Sequence, residues 1–250
     1  MISVFVIGTG NLGMQLCSAL ETAVDSQVKL VGYTNQSGSK LSEINAPLFK
    51  ENWPPCDLYI IAVPDDAIQE VSQFVPQNQA VAHTSGSVPM NVLARHEQHG
   101  VLYIPQTFTK YRRAALEEVT VCLESNSQEI DEKLRLVAGT LSRKRTHINS
   151  TQRQQLHLAA VYMNNFVNHC YFKSAEILKN ADLDQDLLNE LRAETLTNAQ
   201  STTAQEAQTG PARRGDQKTI ERHLKQLKEE DQAMYLAISE SIKRTYEDEL

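Results

Sequence analysis

Ile2-Ser3-Val4-Phe5-Val6-Ile7 runs directly into Gly8-Thr9-Gly10-Asn11-Leu12-Gly13, and a helical pattern follows from Met14 to Ala23. A short apolar run closed by glycine reads as a buried strand, and the segment after it as an amphipathic helix. Strand, glycine turn and helix in this order form a unit able to seat the pyrophosphate of a dinucleotide. Gly8 permits the tight turn, Gly10 lets a phosphate reach the backbone, and Gly13 lets the helix pack closely on its strand. The phosphate would rest on free N–H groups at the helix start, which makes the whole turn, Gly8, Thr9, Gly10, Asn11, Leu12 and Gly13, a candidate nucleotide contact. Glycine-rich turns also close ordinary strand–helix junctions, but here the flanking strand and helix supply the context that the motif needs.

Outward from this turn, residues 1–150 alternate β-rich runs with helical stretches. Ile2–Ile7, Val28–Thr34, Leu58–Val63, Ala80–His83, Val101–Ile104, Val119–Leu123 and Thr146–Ile148 are the expected strands. That rhythm predicts a mostly parallel sheet covered on both faces. From Gln152 the strand signals stop, and three long helices are expected. In the first, Leu156, Ala160, Met163, Val167, Cys170, Ser174 and Ile177 recur at three- and four-residue spacing. Leu158, Val161, Tyr162, Phe166 and Phe172 lie off that stripe, so this helix needs cover on more than one side. The second is expected over Asp186–Gln208 and the third over Asp216–Tyr246, with Gly210-Pro211 breaking the chain between them. The expected organisation is an α/β Rossmann-like N-terminal domain over 1–150 followed by an all-α domain over 151–250.

Composition narrows the function. The 250 residues, 41% of them hydrophobic, are enough for a proper core, and the formal charge of −7 disfavours a general nucleic-acid or anionic-membrane binder. Cys17, Cys56, Cys122 and Cys170 stand far apart, form no metal or redox pair, and read as buried small residues in a reduced compartment. No leader or membrane-spanning run is visible, so a cytoplasmic protein is expected, without metal, nucleic acid or membrane as partner.

An acid at the end of the second strand would hold a ribose 2′-OH, and its absence makes room for a 2′-phosphate. Here the chain reads Tyr33-Thr34-Asn35-Gln36-Ser37-Gly38-Ser39-Lys40, which favours NADP, with Asn35, Ser37 and Lys40 as the phosphate contacts and Gln36 where an arginine often stands. Val63-Pro64-Asp65-Asp66 and His83-Thr84-Ser85-Gly86-Ser87 follow two further strands, at the ends where ligands bind in open sheets. Asp65 and Asp66 read by themselves as a helix cap, and His83 as a hydrogen-bonded packing residue. His157 and Asn164-Asn165 make a polar stripe on the first long helix, and need partners in a substrate or in the core. The loop Thr209-Gly210-Pro211-Ala212-Arg213-Arg214-Gly215-Asp216 suits a carboxylate or phosphate, while Asp216 can cap the helix that follows.

Taken in order, Gly8-x-Gly10-x-x-Gly13, Ala62-Val63-Pro64-Asp65, His83-Thr84-Ser85-Gly86-Ser87, Pro105-Gln106-Thr107-Phe108, His157-Leu158-Ala159-Ala160 with Asn164-Asn165, and Gly210-Pro211-Ala212-Arg213-Arg214-Gly215-Asp216 with Thr219 and His223 resemble the NADP oxidoreductase-like proteins. These join a Rossmann-like domain to a helical domain of unassigned function, in the superfamily of 6-phosphogluconate dehydrogenase and pyrroline-5-carboxylate reductase. The resemblance spans nearly the whole chain, and it implies an NADP-binding homodimer whose C-terminal helices complete the active site. In the hydroxyacid branch a lysine precedes the asparagine pair; the matching position holds Val161, which cannot exchange a proton. A second departure is Ile104 before Pro105, where related sequences often place a histidine. His157, whose side-chain type exchanges protons near neutral pH, is the substitute donor expected one turn earlier.

The expected activity is hydride transfer between NADP and a small carbonyl, imine or hydroxy compound in the cleft between the domains. Gly8, Gly10 and Gly13 would hold the pyrophosphate, and Val63, Pro64 and Ser85 the nicotinamide side. His157 would carry the proton, Asn164 and Asn165 would orient the substrate, and Arg214 would hold an anionic group. Two alternatives remain at this stage: an NADP(H) sensor without turnover, and a deazaflavin-dependent NADP reductase, which needs no proton donor.

Overall fold

The computed structural model describes residues 1–23 and 27–247. Its N-terminal part is a seven-stranded sheet in the order β2-β1-β3-β4-β5-β6-β7. β1 (Ile2–Ile7) lies between β2 (Val28–Thr34) and β3 (Leu58–Ile61) and is parallel to both. β4 (Val81–His83) and β5 (His99–Tyr103) continue the parallel run; β6 (Val121–Ser125) turns antiparallel to β5, and β7 (Arg145–His147) runs parallel to β6. The chain leaves β1 for one side of the sheet and returns on the other, so the order reverses at the carboxyl ends of β1 and β3. That reversal opens the crevice in which doubly wound sheets take ligands.

Period-two alternation sends Val4 and Val6 to one face and Phe5 and Ile7 to the other, all buried. Leu16, Cys17 and Leu20 of α1 (Asn11–Thr22) close the first face together with Ile130, Leu134, Val137 and Leu141 of the later α3 (Gln128–Leu141). Ile68 of the short α2 (Ile68–Ser72), Val75 and Leu93 close the second, with Trp53 stacked on Phe5 and Phe49 tilted against it.

After β7 the chain becomes helical. Asn149 caps α4 (Ser150–Ala160) in a capping box with Gln152. A π-helical turn over Val161–Phe166 follows, then α5 (Val167–Asn180). The chain divides into two compact units, Met1–Cys170 and Tyr171–Leu250. The boundary between these units falls within α5, and the buried Arg153 bonds α4 to the sheet. The second unit contains α6 (Asn189–Ser201), α7 (Ala204–Ala207), α8 (Gln217–Gln226) and α9 (Glu229–Thr245).

Each of the two later helices expected as continuous is broken. The Asp186–Gln208 helix restarts at Thr203, whose hydroxyl accepts from the Glu206 N–H while Glu206 reaches back, a second capping box. The Asp216–Tyr246 helix breaks at Leu227-Lys228: α8 ends with His223 and Lys225, and α9 begins with Glu229, Glu230 and Asp231, charges that suit a helix end and a helix start. Asp216 caps α8 as expected, accepting from the Thr219 N–H at 3.1 Å. Cys17, Cys56 and Cys122 are buried as expected, but Cys170 is exposed on α5. Among the described residues, no helix is long and apolar enough to cross a membrane.

Candidate functional site

The glycine turn closes onto β3 with no space to spare. Gly8 has φ +96°, and a Cβ there would stand 2.5 Å from the Ala62 carbonyl oxygen; one at Gly13 would stand 2.0 Å from the Gly8 oxygen. Gly10 differs, since a Cβ there would meet nothing within 4 Å. Its backbone therefore faces open space at the start of α1, a helix whose first turn has neither a capping side chain nor an acid. Unpaired N–H groups with the positive end of a helix dipole behind them favour an anion at this point.

Gly8, Thr9, Gly10, Asn35, Ser37, Val63 and Pro64, all singled out from sequence, line one cleft of about 670 Å³. Trp53, Glu70, Val71 and Phe74 line it too and had no sequence signal pointing to a ligand. Phe74 is 68% exposed and meets Trp53 edge-on at 6.3 Å, giving the cleft an aromatic wall of the kind on which a base can rest. Asp65 and Asp66 sit in the first turn of a short 3₁₀ helix without a capping bond. Asn11 turns aside: its amide donates to the Phe108 carbonyl at 3.0 Å and fastens the loop after β5 to α1.

The loop after β2 is organised by Asn35. Its amide nitrogen donates to Thr9 Oγ1 and to the Ser39 carbonyl, both at 2.9 Å, and its oxygen accepts from Ser37 Oγ and the Ser39 N–H. Both amide hydrogens are thus engaged, and Asn35 shapes the loop that was expected to hold a phosphate. Lys40 is exposed beyond it. A second lysine arrives from farther along the chain. The Tyr33 N–H donates to the Pro47 carbonyl and the Phe49 N–H to the Tyr33 carbonyl at the edge of β2, which lays Lys50 against Gly38, with Nζ 3.5 Å from the position of a Gly38 Cβ.

At the ends of β4 and β5 a different group assembles. Arg153, 1% exposed, pairs with Glu124, donates from Nε to the Ser85 carbonyl at 3.1 Å and also reaches the Val88 carbonyl. Glu124 further accepts from the Ser150 N–H and hydroxyl. The Ser85 hydroxyl accepts from the N–H groups of Ser87 and Val88, both at 3.0 Å. His83 is fully buried, its Nδ1 accepting from the Ser85 N–H; burial, with the Arg153 charge adding, pushes it down to about 3. It is the packing residue that the sequence suggested.

One turn beyond Arg153, the His157 ring rests on Gly86, where a Cβ would stand 2.6 Å from the ring. Its Nδ1 meets the Tyr103 hydroxyl at 3.2 Å, with the rings edge to face. Asn164 and Asn165 lie in the π turn and are exposed. A π turn closes its hydrogen bonds five residues apart, so the seven-residue spacing that would align His157 with Asn164 on a regular helix no longer does so. In the second unit, Arg213 lies over the Tyr246 ring at 4.9 Å and donates to the Gln208 carbonyl, while Arg214 is exposed.

A crystal structure from Bacteroides fragilis named "putative NADP oxidoreductase" is 31% identical to this chain, covers 97% of it and 98% of itself, and superposes with a TM-score of 0.85. The chain belongs to this NADP oxidoreductase-like family. Residues 119–242 match a domain family of unknown function, DUF2520. A reductive aminase from Aspergillus terreus, in complex with NADPH and ethyl levulinate, shares the fold at 11% identity and TM-score 0.72, covering 99% of this chain and 94% of its own. So does the NADP-bound pyrroline carboxylate reductase of Plasmodium falciparum, at 11% identity and TM-score 0.62 over 98% and 97%. No curated protein matches the chain by sequence. The α/β Rossmann-like unit followed by helices, expected from the glycine turn, is the architecture of this NADP oxidoreductase-like family.

Proposed function

We propose that this chain is a cytoplasmic, homodimeric NADP(H)-dependent oxidoreductase that moves hydride to or from a small carbonyl, imine or hydroxy compound. One observation carries the reading: the parallel strands β1 to β5 end along a single edge, which bears the open glycine turn at β1 and the His157–Tyr103 pair beyond β4 and β5. The space above Gly10 and the uncapped helix behind it fit a pyrophosphate, and the cleft bounded by Asn35, Val63 and Pro64 fits the rest of a dinucleotide. The cofactor supplies hydride chemistry, and the protein supplies position and charge.

In this reading Gly8, Gly10 and Gly13 admit the pyrophosphate; Asn35 and Ser37 shape the ribose loop, with Lys40 as a source of charge; and Val63, Pro64 and Ser85 border the nicotinamide. His157 exchanges the proton that accompanies the hydride, Asn164 and Asn165 orient the substrate, and Arg214 holds an anionic group. Tyr162, Met163, Phe172, Leu187, Leu191 and Leu196 are each at least half exposed, more apolar surface than helices keep in water, which supports a second copy as cover.

The test is a titration of the full chain with NADPH and with NADH, followed by nicotinamide fluorescence and by sedimentation. NADPH-selective binding to a dimer is expected, and absence of binding by either nucleotide overturns the reading. A carbonyl and imine screen then follows, in which His157→Ala loses about 10²- to 10⁴-fold in turnover. Full activity in that variant removes the proton-bearing role and leaves transfer between two cofactors.

A further inference from the structure

We propose that Tyr103 is a positioning residue that fixes the tautomer of His157: its hydroxyl donates to Nδ1, so that the neutral ring carries its hydrogen on Nε2 and presents an N–H donor to the substrate. The proposal rests on the reading of His157 as the proton-bearing group, and it adds a direction. An N–H at Nε2 pairs with an acceptor, so the site favours a carbonyl oxygen or an imine nitrogen and polarises it for reduction.

The argument is one of satisfying hydrogen bonds. Tyr103 ends β5, is 6% exposed, and its hydroxyl has no partner among the described residues other than His157 Nδ1, at 3.2 Å. Two arrangements would fit that distance. If Nδ1 carried the hydrogen and the phenol accepted it, the hydroxyl hydrogen of a residue only 6% exposed would be left without an acceptor among the described residues, which costs free energy. If the phenol donates, both atoms are satisfied and the ring hydrogen must reside on Nε2. The phenol keeps its proton, because burial, with nearby Cys122 adding, holds it above its ordinary range.

Nε2 itself has no partner among the described residues, and His157 is only partly buried, so that nitrogen is available. The ring has little freedom to turn away. Gly86 lies directly beneath its Cγ and Nδ1, and the buried Arg153 one turn earlier ties α4 to Glu124 and to the Ser85 carbonyl. Strand end, glycine and anchored helix together hold the imidazole where the hydroxyl can read one nitrogen and leave the other to a ligand.

Long-range ¹H–¹⁵N spectra of the full chain, with histidine ¹⁵N-labelled and the His157 signals assigned by their loss in His157→Gln, test this directly. In the wild-type protein above neutral pH, Nδ1 is expected to show the shift of a bare accepting nitrogen and Nε2 that of an N–H. In Tyr103→Phe, which keeps the ring and removes the hydroxyl, the two shifts should draw together as both tautomers populate. A wild-type ring protonated on Nδ1 overturns the proposal without need of any variant. So does a Tyr103→Phe protein with native signals elsewhere and an unchanged His157 pattern. A wild-type chain that fails to bind NADPH in a separate titration overturns the enzyme reading instead, so the two failures are distinct.

Discussion

Alanine at Gly10 and alanine at Gly13 should separate nucleotide binding from stability, although the two glycines belong to one motif. A Cβ at Gly13 would stand 2.0 Å from the Gly8 carbonyl oxygen, whereas non-bonded heavy atoms settle at about 3.5 Å, so α1 would have to retreat by roughly 1.5 Å. The obstacle is backbone and cannot rotate away. Overpacking of this kind costs about 3 kcal/mol at its upper end, and alanine's better helix propensity returns up to about 1 kcal/mol. The net loss of about 2 kcal/mol corresponds to a melting point lower by about 4–8 °C for a chain of this size. At Gly10 the arithmetic differs. The residue has φ −63° and ψ −171°, which alanine adopts, and its Cβ would meet nothing within 4 Å. Alanine is a worse helix N-cap than glycine by roughly 0.5–1 kcal/mol, and it gains about as much by restricting the unfolded chain, so stability should stay within about 0.5 kcal/mol. The new methyl instead occupies the space proposed for the pyrophosphate, and NADPH affinity should fall at least about tenfold, or about 1.4 kcal/mol. Thermal melts without nucleotide, followed by fluorescence titrations with NADPH, read the two effects independently. If Gly10→Ala binds NADPH like wild type, or melts as low as Gly13→Ala, the assignment of open space to a phosphate is wrong.

Lys50→Met should weaken NADPH about tenfold relative to NADH, as expected for loss of one charge-assisted contact to a 2′-phosphate. The same change at Lys40, compared in parallel titrations, identifies the lysine that the phosphate meets; equal losses for both nucleotides in both variants would exclude the loop. Arg153→Met leaves the half-buried Glu124 without its charge partner and should cost about 3 kcal/mol in urea unfolding, with part of it recovered when Glu124→Leu is added. His83 is held down to about 3 in the folded chain against an unfolded value near 6.5, so the unfolded state binds the extra proton; the stability it confers is complete above about pH 6.5 and is lost as pH falls toward 3. The slope is roughly 1.4 kcal/mol per pH unit, and His83→Asn should flatten that part of an acid unfolding curve.

The parts of this molecule legible in its sequence are those governed by neighbours along the chain. Gly8-x-Gly10-x-x-Gly13 between a strand and a helix carries its own context, and the alternation of Val4, Phe5, Val6 and Ile7 discloses a strand covered on both faces. Helix ends were also written locally, in the Thr203-x-x-Glu206 capping box and in the acids of Glu229–Asp231, inside spans that read as continuous helices. Trp53 and Phe74 carried no signal toward the cleft because ring packing, Trp53 on Phe5 and Phe74 on Trp53, brings them there, and Lys50 reaches Gly38 only through a bridge at the edge of β2. Tyr103 is a strand residue like any other until His157, 54 positions later, is folded against it. The π turn at Val161–Phe166 has no signal in the periodicity, and it changes which side chains follow His157 around the helix.

Those last two features bear on the valine that replaces the lysine of the hydroxyacid branch. Val161 opens the π turn, so the backbone at that position does not continue the regular helix on which the lysine alignment is drawn. A proton carrier restored by Val161→Lys alone would therefore leave from a different helical phase, and it should not rescue turnover lost in His157→Ala. The anchoring of α4 supports the same conclusion. A buried arginine bonded to Glu124 and to two carbonyls of the 85–88 loop is a costly way to fix a helix unless something on the next turn needs an exact position, and the residue there is His157, seated on Gly86 and bonded to Tyr103. If the arginine served stability alone, the pair Arg153→Met with Glu124→Leu would restore both folding and the His157 tautomer. If it serves the imidazole, folding should return while the ¹⁵N pattern of His157 does not.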